Sequence, residues 1–171
     1  MTDKQRACIL SDMTILVDTR EQKNKHILDY FDANGIKYEK RKLDSGDYSF
    51  ILPNYQLLGL DEKILIEKKN SLDEISSNFT SGRERFVREF ERVPRGSTIH
   101  LLVENATWTK IFHGSYRSQL NPKSFTASII TWCVRYNVPV WFCKPSESGE
   151  LIYNILKYSL YEKIKNFEEM C

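Results

Sequence analysis

Ile64-Leu65-Ile66-Glu67-Lys68-Lys69, taken with Ser45-Gly46-Asp47-Tyr48 upstream, is the stretch whose reading decides the fold. Residues 62 to 69 read as a strand. Side chains alternate faces along a strand, so Glu67 and Lys69 share one face while Ile64 and Ile66 share the other. One face is anchored in apolar surroundings and the other presents charge. A second carboxylate, Asp47 on a neighbouring strand, would complete a hard-oxygen pair suited to Mg²⁺ or Mn²⁺, ions that prefer carboxylate, carbonyl and water ligands. Lys69 beside that pair would orient an attacking water or neutralise charge developing on a phosphate. An isolated E-x-K also fits a solvated edge strand of alternating charge.

The neighbouring residues narrow the choice. Gly46-Asp47, then Glu67-Lys68-Lys69, then Asp73 form G-D-x(n)-E-[RK]-K-x-x-x-D, preceded by Val17-Asp18-Thr19-Arg20-Glu21. With these motifs the sequence resembles the XPF-type nuclease domain, a branch of the restriction-endonuclease-like PD-(D/E)xK superfamily found in structure-specific DNA endonucleases. Ser81-Gly82-Arg83-Glu84-Arg85-Phe86, Leu102-Val103-Glu104, Tyr116-Arg117-Ser118 and Asn137-Val138-Pro139-Val140 are similar to segments of its stand-alone bacterial and phage versions. Several separated blocks in the right order carry more weight than one short pattern.

The resemblance implies an α/β fold, a restriction-endonuclease-like mixed β-sheet flanked by helices on both faces. It implies Asp47, Glu67, Lys69 and Asp73 as catalytic residues, and Asp47 and Glu67 as ligands of Mg²⁺ or Mn²⁺ supported by Asp18 and Glu21. DNA with branched, flap or fork structure is the implied substrate. Arg20, Lys68, Arg83, Arg85, Arg88, Tyr116 and Arg117 are the residues expected to meet it. Lys68 stands where the family usually has arginine, so charge is kept there but not the planar two-point contact of a guanidinium. The paired helix-hairpin-helix module of the eukaryotic and archaeal relatives is not found in this sequence. Their DNA-binding mode and heterodimer scheme are therefore not carried over, and a homodimer stays open.

Composition sets the bounds. With 171 residues, 41% hydrophobic and 28% charged, the chain suits one globular domain and excludes low-complexity or repeat architectures. Residues 1 to 13 read as an N-terminal extension, 14 to 166 as the domain and 167 to 171 as a tail. The extension carries Asp3, Lys4, Arg6 and Asp12, so it lacks the apolar centre of a secretory signal, and a cytosolic location is expected, or a nuclear one in a eukaryote. Cys8, Cys133, Cys143 and Cys171 lack zinc-site spacing and are read as reduced thiols. A net charge of +2 does not by itself predict nucleic-acid binding, so any basic field must be local. Residues 81 to 95 supply one, with Arg83, Arg85, Arg88, Arg92 and Arg95 against Glu84, Glu89 and Glu91. A solvated, salt-bridged helix face is the alternative there.

In chain order, Thr14 to Asp18 reads as a buried strand delivering Asp18 to one end of a sheet, where it either assists a metal with Glu21 or simply begins a turn. A helix follows over 24 to 33. Residues 36 to 69 read as an antiparallel meander that would make Asp47 and Glu67 cross-strand neighbours. Ser71-Leu72-Asp73-Glu74 has capping-box form, so Asp73 falls in a first helical turn, where it complements the helix dipole or orients Lys69. Further helices are expected over 82 to 93, 107 to 120 in part, 122 to 137, and 148 to about 166. Strands are expected over 99 to 103 and 138 to 142. The strand, basic helix and strand between 62 and 103 suggest a crossover in a mixed sheet, with the acids near one edge.

Two rivals to a DNA endonuclease stay open at this point. One is a junction-binding or scaffold module that does not cut. The other is a nuclease for RNA or small cyclic nucleotides, which the same metal site could hydrolyse.

Overall fold

Six short runs rich in β-branched and aromatic residues pair into one mixed sheet: β1 (Thr14–Asp18), β2 (Tyr38–Arg41), β3 (Tyr48–Ile51), β4 (Ile64–Lys69), β5 (Thr98–Glu104) and β6 (Val140–Cys143). The computed structural model describes residues 1–169. The strands lie in the order β2-β1-β3-β4-β5-β6, and β3 alone runs against the others.

That order corrects two expectations. Residues 36 to 69 are not a simple meander, because β2 lies outside β1 and parallel to it, while β3 inserts between β1 and β4. Helix α2 (Lys25–Ala33) carries the chain across one face, and such a crossover requires parallel strands. The exposed Lys40 and Arg41 of β2 suit a strand with one free edge. The acids are consequently not near an edge. They sit on or beside β1, β3 and β4, the second to fourth of six strands. The crossover from β4 to β5 is present as expected, with those strands parallel and in register from Ile64 with Thr98 to Lys69 with Val103.

Helices cover both faces, as the resemblance implied. Ile15, Val17, Tyr48, Phe50, Ile64 and Ile66 face a core closed by α1 (Asp3–Asp12), α2 and α7 (Ser148–Glu169). Leu65, Ile99, Leu101 and Val103 face a second core built from α3 (Leu72–Phe79), α4 (Arg83–Glu91), α5 (Trp108–Phe112) and α6 (Pro122–Tyr136). In that second core Phe86 stacks on Trp132, with ring centroids 4.6 Å apart. Ile9 and Met13, in the segment read as an extension, are buried in the first core. The final helix runs to Glu169, and residues 170 and 171 of the expected tail lie outside the described residues.

One glycine fixes the central pairing. Gly46 has φ +72°, and a Cβ there would come within 3.1 Å of the Ile66 carbonyl oxygen. Gly46 thus lets the backbone come close to β4, and Asp47 enters the sheet beside Glu67.

Candidate active site

Asp47 immediately precedes β3 and is tied on both sides. Its N–H donates to Ile66 O at 2.8 Å, and its carbonyl accepts from Asp18 N–H at 2.8 Å. Its side-chain Oδ2 accepts from Lys68 N–H, also at 2.8 Å. On β4 the alternation holds as read: Glu67 and Lys69 turn to the face opposite Ile64 and Ile66, and Lys69 Nζ donates to Glu67 Oε1 at 2.6 Å. Lys69 Nζ also lies 5.4 Å from the centre of the Phe86 ring, a cation–π contact that steadies it against α4. A cavity of about 210 Å³ opens over this face, with Asp47, Glu67, Arg20, Glu89 and Arg92 in its wall.

Burial sets the electrostatics of the group. Asp47 is held well above the usual carboxylate range, by burial first and by the Glu67 charge second. Burial raises Glu67 as well, and Lys69 partly offsets it. Burial also works against the Lys69 ammonium, yet Glu67, Glu89 and Asp47 outweigh it and keep that group above its ordinary value.

The expected supporting residues divide by position. Asp18 is buried, and its oxygens are committed: Oδ1 accepts from Arg20 N–H and Nε at 2.7 Å, and Oδ2 accepts from Arg20 at 2.8 Å and Leu43 N–H at 2.7 Å. It braces Arg20, whose guanidinium borders the cavity. Burial opposes the Asp18 charge, but these donors hold its carboxyl below the ordinary value. Glu21 lies 3.6 Å from Lys68 Nζ, toward the other face of the sheet. Asp73 Oδ1 accepts from the N–H groups of Arg117 and Ser118 at 2.7 and 3.0 Å, so it pins the loop after α5, while Lys69 pairs with Glu67. Ser71 does cap α3, but Glu74 reaches Asn70 N–H, one residue earlier than the box pattern suggests.

The residues expected to meet DNA divide in the same way. Arg85 and Arg88 are exposed on α4, and with Arg20 and Arg92 they border a second, open cavity of about 500 Å³ that shares Arg20, Glu89 and Arg92 with the first. Arg83 faces a different recess, against α6. Lys68 is turned inward with no side-chain exposure, its Nζ 2.7 Å from Asn70 Oδ1 and 3.7 Å from Glu104. Tyr116 packs edge-on against Phe125 and donates its hydroxyl to Leu120 O at 2.7 Å, while Arg117 beside it is exposed.

The sequence reading places Arg92 only in the basic field of residues 81 to 95 and Glu89 only as an acid set against it, neither at the acidic site. Their signal is weak, because on a helix alternating arginine and glutamate any acid looks like one half of a surface ion pair. Glu89 does lie 3.9 Å from Arg85 through one oxygen, but its other oxygen, Oε2, is buried and accepts no hydrogen bond.

Residues 17–155 match the ERCC4 domain over most of the chain. The chain belongs to the ERCC4 domain family. Among solved structures it is similar to XPF from Aeropyrum pernix, with a TM-score of 0.63 and 20% identity over 85% of this chain and 61% of that one. The same archaeal XPF in complex with DNA matches with a TM-score of 0.62 and 18% identity, over 85% of this chain and 64% of that one. Both likenesses show the fold, and the chain spans less than two thirds of either. No curated protein matches the sequence.

The donor set of this ERCC4 domain fits a hard divalent cation. Burial raises both Asp47 and Glu67, with the Glu67 charge adding to Asp47 and the Glu89 charge to Glu67, and Glu89 itself keeps one oxygen without a donor among the described residues. A cation held by Asp47 and Glu67 would relieve that pair. Among the described residues no ready-made group of three or more acids, histidines or cysteines surrounds one point. That suits Mg²⁺, which takes one or two carboxylates and fills the rest of its octahedron with water and phosphate oxygens.

Proposed function

We propose that this ERCC4 domain is a divalent-metal-dependent endonuclease that hydrolyses phosphodiester bonds in branched, flap or fork DNA during repair, recombination or replication. The observation that carries the reading is the meeting of Asp47, Glu67 and Lys69 on one sheet face beneath a cavity whose rim continues into exposed arginines. A phosphodiester is anionic, and its hydrolysis requires charge neutralisation, a positioned water and help for the departing oxygen. In this reading Asp47 and Glu67 would hold Mg²⁺ or Mn²⁺, which supplies Lewis acidity toward the phosphoryl oxygens when bound.

The chain's own residues do the rest. Arg20, held flat by Asp18, presents the remaining edge of its guanidinium to a phosphate at the cavity wall. Lys69, fixed between Glu67 and the Phe86 ring, keeps its ammonium charged where negative charge grows in the transition state. Arg85, Arg88 and Arg92 extend the positive rim along α4 and would guide a strand across it. Asp73 acts at one remove, holding the loop that exposes Arg117.

Association of two copies is part of the proposal. Phe112, Ile130 and Val134 are exposed on α5 and α6, and Trp141 is exposed on the edge strand β6. Exposed apolar side chains gathered near a free strand edge suit an interface.

Labelled fork, flap and linear duplex DNA, and an RNA version of the fork, are incubated with Mg²⁺ or Mn²⁺, with chelator, and with Lys69→Ala. Metal-dependent cutting of fork or flap DNA by the wild type alone supports the reading. Binding without cutting under every condition, or preference for RNA, overturns it.

A further inference from the structure

A basic recess lies away from the acids. Phe79 on α3, Arg83 on α4, and Ser128, Thr131, Trp132 and Arg135 on α6 line a cavity of about 160 Å³ that no carboxylate borders. Arg83 and Arg135 approach it from different helices, and neither makes an ion pair among the described residues. Neighbouring α4 arginines differ in this: Arg85 lies 3.9 Å from Glu89 and Arg88 lies 4.0 Å from Glu84. Ser128 and Thr131 stand three residues apart on α6, so both hydroxyls turn to the same side. Beneath them Trp132 is 2% exposed, and its indole N–H is buried without an acceptor. A recess that offers two guanidiniums and two hydroxyls and no carboxylate, with the Trp132 indole as its floor, is the pattern that a bound oxyanion completes.

We infer that this recess between α3, α4 and α6 is a phosphate-binding subsite that takes a backbone phosphate of DNA outside the region being cut. The inference rests on the proposed DNA reading for its ligand, but none of its residues belongs to the Asp47–Glu67–Lys69 group. Arg83 precedes Glu89 by six residues on α4, on the order of 9 Å along the helix axis, so one nucleic acid could occupy both places.

The test combines nuclear magnetic resonance with binding measured in chelator, where nothing is cut. The Trp132 indole N–H resonance, assigned with Trp132→Phe, is followed during titration with inorganic phosphate and with a forked oligonucleotide, in wild type and in the double variant Arg83→Gln/Arg135→Gln. The expected result is a saturable shift with fork DNA that the double variant loses. Fork affinity should then fall on the order of tenfold, with the salt slope shallower by about 1 to 2. A shift with phosphate but none with DNA would assign the recess to a free anion and overturn the DNA assignment. No shift with either, or unchanged DNA affinity in a double variant that keeps its melting temperature, would remove the subsite altogether. A double variant that changes sedimentation but not DNA affinity would make the recess a protein contact instead. Failure here with fork cutting intact leaves the nuclease reading standing, whereas absence of all DNA binding in the wild type removes that reading first.

Discussion

The backbone N–H of Lys68 donates to Asp47 Oδ2 at 2.8 Å, so the strand that carries Glu67 and Lys69 also aims the other acid of the site. The side chain of the same lysine turns to the opposite face of the sheet. There its ammonium is enclosed by Asn70, Glu21, Glu104 and the Lys23 carbonyl. Glu104 in turn accepts from Ser148 and meets His26 at 2.7 Å, tying the ends of β4 and β5 to α2 and α7. One residue thus joins the face of the candidate site to a buried ionic cluster behind it.

Lys68→Met is therefore expected to act mainly on stability. Removing one partner strands Glu104 in a buried position, a change that typically costs about 3–5 kcal/mol. A chemical denaturation midpoint close to that of the wild type would show that the cluster is not a structural tie.

Lys69→Ala should separate binding from chemistry. The ammonium beside Glu67 is a fixed positive charge at the proposed site, and loss of such a group lowers rate by about 100-fold or more. Single-turnover cutting of a fork should fall by that factor, while fork affinity in chelator changes little.

Asp47→Asn should raise the stability of the metal-free protein while abolishing cutting. Asp47 is raised by burial and by Glu67, so its proton stabilises the fold fully below the ordinary carboxylate value, and that contribution is lost as pH rises through the elevated one. Asparagine keeps an acceptor for Lys68 N–H and removes the buried charge. At neutral pH the melting temperature should rise, by about 2–4 °C for each kcal/mol relieved, and the fall in stability above about pH 4 should flatten. Thermal melts in chelator across pH 4 to 8 read both effects.

His100 should give the opposite slope. It is buried on β5, its Nδ1 accepts from Trp141 Nε1 at 3.1 Å, and burial pushes its imidazole down to about 4. The unfolded chain takes up that proton near pH 6.5, so stability is full above that value and falls, by about 3 kcal/mol in all, as pH drops toward 4. His100→Asn, which keeps an acceptor for Trp141, should remove that segment of the stability profile. Urea midpoints at pH 7 and pH 5 would show it, and an unaltered difference between them would assign the acid sensitivity elsewhere.

Much of the site was legible without coordinates. Period-two alternation in Ile64 to Lys69 places Glu67 and Lys69 on one face because the pleat allows nothing else, and Gly46-Asp47 marks the second acid. The family resemblance followed from the same motif, and the two-faced helical layering from that resemblance. Sequence order misled in the sheet. A run of strands with turn residues between them looks like a meander, and only long-range pairing sends β2 outside β1 and β3 inside it.

Local pattern determined which residues face together within each element, because strand and helix geometry is set by neighbouring backbone. Tertiary structure decided which faces meet. It turned Lys68 inward onto Glu104, brought the Leu43 N–H onto Asp18 Oδ2, and set Glu89 of α4 in one cavity wall with Glu67. Those outcomes depend on how helices dock across a sheet and on which buried polar groups find partners. These are contacts between residues far apart in the chain, and no short window of sequence encodes them.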